Sequence, residues 1–225
     1  MKTAPLPTVR RLPIYLTLLR RFQGEGHVVI SGTRIAEELG LESIQVRKDL
    51  AYTGIVGKPR VGFDLSDSIH LIESYLGWDQ ATRAVLVGAG SLGTALLGYR
   101  DFTRHGLEII AVCDSDMKKV GKTIHGQKLY PMDRLGTIVR QKDITLGILT
   151  VPAAVAQRVA DQLVEAGIVA IWNFAPIALK VPENVLLQNT ELSVDLAVLS
   201  VMLKQNDATA TTEEIRNGPP SKAAS

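Results

Sequence analysis

The chain has 225 residues, with 25 Lys+Arg against 23 Asp+Glu, 46% hydrophobic and 21% charged, the balance of a globular protein with room for one or two domains. No apolar run nears the ~20 residues that cross a bilayer, the basic start MKTAPLPTVRRLP lacks the apolar stretch of a signal peptide, and a single Cys113 excludes an intrachain disulfide or a cysteine metal cluster, so a cytoplasmic protein with no membrane association is expected. The charge is uneven: residues 1–60 hold ten Lys/Arg against five Asp/Glu, a net of +5, and the remainder nets −3, so a polyanionic partner suits the front of the chain only.

Pro13–Phe22 spaces Ile14, Leu16, Leu18, Leu19 and Phe22 as the apolar face of a helix, ended by GEGH. After a short VVIS, Ser31 or Thr33 caps a helix over Thr33–Leu39 that Gly40 stops, and a second follows over Ser43–Tyr52 up to Gly54. Two short helices around a glycine turn form a helix-turn-helix pattern. On the second, Ile44, Val46, Leu50 and Ala51 are expected to face a small core. Ser43, Gln45, Arg47 and Lys48 are left outside, with side chains that hydrogen-bond phosphates and base edges. Gly57–Phe63 (GKPRVGF) then reads as a basic hairpin, a wing with Lys58 and Arg60 for the DNA backbone or minor groove. The bland alternative is a structural helical domain with solvated charges.

The texture changes after Trp78. Val85–Leu96 (VLVGAGSLGTAL) is a strand, a glycine turn and a helix start, with Gly88, Gly90 and Gly93 in GxGxxG spacing. In a dinucleotide fingerprint the first glycine makes the tight turn, the second lets the backbone reach a pyrophosphate, and the third lets helix and strand pack closely. Gly88, Ala89, Gly90, Ser91, Leu92 and Gly93 are therefore candidate cofactor residues, with the N–H groups at Ser91–Gly93 aimed at the phosphates. A second strand, Leu107–Val112, leads to Asp114, 21 residues beyond Gly93, where an acid accepts from an adenosine ribose and disfavours a 2′-phosphate. NAD(H) is thus expected over NADP(H), with Lys118 and Lys119 near enough to soften that preference.

The α/β alternation continues through a helix over Met132–Gln141, a strand over Ile144–Thr150, a helix over Ala153–Ala166 and a strand over Ile168–Trp172. Ligands in such sheets sit beyond the carboxyl ends of strands. Thr150, Val151, Pro152, Asn173, Phe174 and Pro176 are the resulting candidates for the nicotinamide side, although ordinary strand-end turns explain each singly as well. His27, His70, His105 and His125 form no recognisable acid/base pair, and little chain is left for a substrate domain. Leu192–Lys204 is a helix apolar nearly all round (Leu192, Val194, Leu196–Leu199, Val201–Leu203) with Asp195 inside it, which calls for burial against a second subunit. Asn206–Ser225 is polar and reads as a disordered tail.

Taken together, RRLPIYL, IQVRKDLAYTG, GKPRVGF, VGAGSLGTAL, LTVPAAVAQ, NFAP and SVDLA resemble the Rex family of redox-sensing transcriptional repressors, from about Thr8 to Lys204. The resemblance implies an α/β fold: an N-terminal winged helix-turn-helix (1–80), a Rossmann-like doubly wound parallel sheet (81–190) and a C-terminal swapped helix (191–205), before the tail (206–225). It implies a homodimer on palindromic double-stranded operator DNA, with NADH releasing the DNA and NAD⁺ permitting binding, and no catalysis. By the same resemblance Tyr99 and Asp195 neighbour the nicotinamide near the dimer interface. Family members often carry an arginine after the first-helix Tyr-Leu pair, able to pair with that aspartate across subunits. Here Tyr15-Leu16 is followed by Thr17, with Arg11, Arg20 and Arg21 as nearby substitutes. Two rival readings remain open: a small NAD-dependent oxidoreductase with an N-terminal oligomerisation domain, and a domain binding CoA or another adenylate.

Overall fold

The structure is a computed structural model that describes residues 3–217, with side chains described to residue 206. The chain divides into two compact units, Met1–Arg83 with Gly98–Ile109, and Ala84–Leu97 with Ile110–Ser225.

The first unit is built on α1 (Leu6–Gly24), β1 (Val29–Ile30), α2 (Gly32–Leu39), α3 (Ser43–Tyr52), β2 (Phe63–Asp64) and α4 (Leu65–Leu76). The helix expected over 13–22 starts earlier and runs through Pro13. An internal proline costs about 3 kcal/mol. Full burial of Leu12, Tyr15, Leu16 and Leu19 on the same helix outweighs that, at roughly 1.5–3 kcal/mol per large apolar side chain. The α2 start is capped as expected, Arg34 N–H donating to Ser31 Oγ at 3.0 Å. Gly40 stops it in the left-handed region at φ 63°. Val29 and Ile30 pair antiparallel with Asp64 and Phe63, closing the base of the hairpin. Val46 and Leu50 join a core with Leu12, Leu16, Ile35 and Ile72. Ile44 does not: it is 63% exposed, and Ala51 is exposed too. The buried stripe of α3 carries Asp49 instead, because that carboxylate meets partners on α1.

The second unit centres on a seven-stranded sheet. The remaining elements of the chain are β3 (Thr82–Val87), α5 (Ser91–Leu97), α6 (Asp101–Arg104), β4 (Leu107–Asp114), β5 (Thr123–Ile124), β6 (Gln127–Pro131), α7 (Leu135–Gln141), β7 (Leu146–Leu149), α8 (Ala153–Ala166), β8 (Ala170–Asn173), β9 (Leu186–Asn189) and α9 (Leu192–Asn217), all but α6 contributing to this unit. The strand order is β5-β6-β4-β3-β7-β8-β9. β3–β7, β4–β6, β7–β8 and β8–β9 pair parallel, and β5–β6 antiparallel. Strands covered on both faces read as unbroken apolar runs, and Ala84–Val87 is buried throughout. β9 and the β5–β6 hairpin escaped the sequence reading, being short and flanked by polar residues. The segment 98–109, with α6, belongs to the first unit: Thr82 N–H donates to the Gly106 carbonyl at 2.6 Å, and Trp78 stacks on His105 at 4.1 Å.

The terminal helix runs on to Asn217, past the expected end at Lys204. Residues 206–217, expected as disordered tail, are helical in backbone. The rest of the expected tail, 218–225, lies outside the described residues. Leu192, Leu196, Leu199, Val201, Met202 and Leu203 are each more than half exposed.

Candidate functional sites

In the first unit the chemistry gathers around Asp49, whose side chain is fully buried. Its Oδ1 accepts from Thr8 Oγ1 (2.8 Å), Arg11 Nη2 (2.9 Å) and Gln45 Nε2 (2.9 Å), and its Oδ2 from Arg11 Nε (2.6 Å) and the Tyr15 hydroxyl (2.6 Å). Burial pushes the carboxyl up, but these hydrogen bonds outweigh it and hold it at about 2. Burial and the neighbouring carboxylate push the Tyr15 hydroxyl up. Thr8, Arg11 and Tyr15 lie on one face of α1, so the cluster bolts that helix to α3. Sequence reading passed over Asp49. The available signal was a lone acid on the apolar stripe of a basic helix, opposite an arginine and a tyrosine spaced i, i+4.

Of the residues expected to meet DNA, Arg47, Lys48, Lys58 and Arg60 are exposed, Ser43 and Gln45 half-buried. Among the described residues none of the four cations is in an ion pair. The wing is a tight turn: Lys58 and Gly62 exchange both backbone hydrogen bonds, at 2.8 and 2.9 Å. Gly62 is required there, since a Cβ would stand 2.5 Å from the Ile30 carbonyl oxygen at φ 108°. Arg60 takes φ 63°, the left-handed region that L side chains seldom adopt. Arg47, Lys58 and Arg60, with Ser31 and Thr33, rim a groove of about 640 Å³ between α3 and the wing. Separated helix and hairpin thus present their cations along one groove, which suits a phosphate backbone.

The arginines near Thr17 are all engaged within this unit: Arg11 with Asp49, Arg20 with Glu73 and Arg21 with Glu38. The Thr17 hydroxyl donates to the Pro13 carbonyl at 3.0 Å. None of the three arginines therefore stands free as the substitute the sequence suggested.

In the second unit the glycine turn leaves β3 after Val87. Gly88 sits at φ 101°, where a Cβ would lie 2.7 Å from the Thr150 carbonyl oxygen. At Gly93 a Cβ would meet the Gly88 carbonyl oxygen at 2.0 Å. Both are glycine for close packing. At Gly90 a Cβ meets nothing within 4 Å, so the chain is open there, with room for a ligand against the backbone.

Asp114 is more heavily committed than the spacing implied. Its Oδ2 accepts from Ala89 N–H at 2.7 Å and Lys119 Nζ at 3.3 Å, its Oδ1 from Asp116 N–H at 2.8 Å. Burial pushes this carboxyl up, but those donors leave it below the usual carboxylate range. Lys119 also donates to the Ala89 carbonyl at 3.1 Å. Acid and lysine together clamp the loop from below. The Thr150 hydroxyl holds it from the side, donating to the Gly88 carbonyl at 2.8 Å.

A cavity of about 490 Å³ opens over this loop. It brings together the expected Gly88, Gly90, Asp114, Thr150, Val151 and Pro152, and adds Ser115, Lys119, Met132, Val155, Arg158, Val159 and Gln162. The last four mark one face of α8, spaced 155, 158, 159, 162 behind the Pro152 helix start, a periodicity legible in the sequence. Ala89, Ser91, Leu92 and Gly93 form the turn without lining this cavity. Asn173, Phe174 and Pro176 lie outside its lining as well. The Asn173 side chain is spent internally: its amide donates to the Ala175 and Ile177 carbonyls and to Asn189 Oδ1, and its Oδ1 accepts from Ala175 N–H. Phe174 packs on Trp172 at 4.9 Å. Tyr99, in the other unit, is 53% exposed with its ring edge-on to Phe102. Asp195 is exposed on α9. Cys113 is buried beneath the loop with its thiol pushed up to about 12, which disfavours a reactive thiolate.

Comparison with known proteins meets this geometry from both ends. Residues 3–51 match the family described as "Putative DNA-binding protein N-terminus", and residues 79–177 match the CoA binding domain. The redox-sensing transcriptional repressor Rex of Treponema denticola is 50% identical over 202 residues, covering 90% of this chain and 96% of that protein. This chain belongs to the Rex family. The Rex repressor of Pelotomaculum thermopropionicum is 43% identical over 93% of this chain and 100% of its own. The solved structure of the Rex-family repressor RSP with β-NAD⁺ and operator DNA superposes at a TM-score of 0.87, with 30% identity over 95% of this chain and 98% of that one. RSP with β-NADH superposes at 0.83. The DNA-binding match falls on the unit holding the basic groove, and the CoA-binding match on the glycine loop and its cavity. Among the described residues no helix is long and apolar enough to cross a membrane, and no cluster of acids, His and Cys could hold a metal.

Proposed function

We propose that this Rex-family chain represses transcription by binding palindromic double-stranded operator DNA as a homodimer, and leaves the operator when NADH binds. The observation that carries the reading is the pairing, within one chain, of an unpaired basic groove on a helix-turn-helix with an open glycine loop over a cavity. Loop and cavity fit a dinucleotide: Gly90 leaves space at the backbone, and Asp114, Ser115 and Lys119 stand where polar groups of a nucleotide can be met. NADH and NAD⁺ differ by one hydride and the ring charge, so discrimination falls to the residues around the ring. Tyr99 and Asp195 are the candidates, with Thr150, Val151 and Pro152 at the cavity wall. Asn173, Phe174 and Pro176 shape the neighbouring turn. The exposed apolar face of α9 supports exchange with a second copy, because so large an unpartnered stripe seeks burial. Bound NAD(H) is then a signal rather than a reactant, in a cytoplasmic regulator without hydride transfer.

If each redox form favours a different relative orientation of the two recognition helices, half-site spacing changes and affinity follows. Linkage requires that operator DNA weaken NADH binding by the same factor. A mobility shift on a palindromic duplex across NADH/NAD⁺ ratios tests this: release as NADH rises is expected, and unchanged binding at saturating NADH overturns it. The match to the CoA binding domain gives a second reading of the cavity. Direct competition among NADH, NADPH and CoA separates the two, with NADH expected to bind tightest.

A further inference from the structure

Gln45 and Asp49 stand one turn apart on α3, and the Gln45 amide donates to Asp49 Oδ1 at 2.9 Å. An ionised carboxylate only accepts, so this contact dictates which end of the amide turns inward: the NH₂ group faces Asp49 and the carbonyl does not. Asp49 cannot follow Gln45 if it moves, because Thr8, Arg11 and Tyr15 hold both of its oxygens from α1. Gln45 is only half-buried and borders an open cavity of about 640 Å³ beside Lys48 and Tyr52. One N–H of the amide is spent; the second N–H and the carbonyl remain, a donor beside an acceptor. In the major groove adenine presents the complementary pair, N7 accepting and N6–H₂ donating. Guanine presents two acceptors, cytosine a donor, and thymine an acceptor beside a methyl group.

Resting on the reading that α3 enters the major groove, we propose that Asp49 is a positioning residue that holds the Gln45 amide in one orientation, and that Gln45 so held selects an adenine in each operator half-site. The cations of α3 and the wing then set affinity and salt dependence, and the Gln45–Asp49 pair adds preference at one base pair.

The test uses the full-length protein. A preferred duplex is selected from a random pool, and each base pair of a half-site is then replaced in turn and titrated by fluorescence anisotropy. Replacing one A·T pair is expected to weaken wild-type binding on the order of tenfold. Gln45→Ala is expected to erase discrimination at that pair alone, with the salt slope and the other positions unchanged. Asp49→Asn is expected to erase it at the same pair. Should Asp49→Asn not fold, Gln45→Asn serves instead: it keeps the amide but is one methylene too short to reach Asp49 and the base together, and the same loss is expected. Gln45→Ala with discrimination intact at every position overturns the proposal. So does Asp49→Asn, or Gln45→Asn in its place, weakening all positions equally. If the wild-type chain enriches no duplex at all, the DNA-binding reading itself fails.

Discussion

Two buried carboxylates organise this chain, one in each compact unit, and they are satisfied in opposite ways. Asp49 is surrounded by side chains, Thr8, Arg11, Tyr15 and Gln45, from two helices. Asp114 is met mainly by backbone, the N–H groups of Ala89 and Asp116, with Lys119 alone contributing a side chain. A carboxylate held by side chains depends on the identity of residues distant in sequence. One held by backbone depends on the path of the chain, and here that path depends on glycines. The helical unit should therefore be sensitive to polar substitutions, and the nucleotide loop to any added Cβ.

The largest effect expected on that contrast is Asp49→Ala, which leaves the buried Tyr15 hydroxyl and the half-buried Arg11 guanidinium without their acceptor. A loss of about 2–3 kcal/mol should appear in urea denaturation followed by circular dichroism. Acid should reach the same cluster. Asp49 is held at about 2 against an ordinary 3.8, so its contribution is complete above the ordinary value and is lost as pH falls from near 4 through 2. That loss, on the order of 2 kcal/mol, should show as an acid limb in stability against pH, flattened in Asp49→Asn. Gly93→Ala tests the other side. The added carbon meets a carbonyl oxygen at 2.0 Å, so the loop must shift. NADH affinity should fall about tenfold, or roughly 1.4 kcal/mol, in a fluorescence titration, while operator binding without NADH persists. Equal loss of both functions would break the contrast. The smallest effect is on the wing: Lys58→Ala should lower the slope of log K against log salt by about 1 without changing base preference.

Much of this was legible along the chain. The helix-turn-helix, the wing, the GxGxxG loop and most strands follow from periodicity and punctuation, because each is decided within about ten residues. Ser31 as a helix cap and Gly88 as a tight turn are local choices of this kind. The errors lie where a distant partner decides. Ile44 reads as core by spacing, yet the buried stripe of α3 is rotated toward Asp49 because Arg11, Tyr15 and Thr8 wait on α1. Pro13 reads as a helix start, yet the burial of Leu12, Tyr15 and Leu16 carries the helix through it.

By itself the sequence determined the division of labour, a basic helical front and a glycine-loop sheet, since charge distribution and periodicity are properties of consecutive residues. Only the tertiary structure decided which polar groups are spent and which are left to act. Asp114 and Lys119 lock the loop, Gln45 is turned by Asp49, and Arg11, Arg20 and Arg21 are already paired. The physical reason is that a buried charge or amide is stable only with its partners in place, and those partners are brought together by packing rather than by sequence neighbourhood.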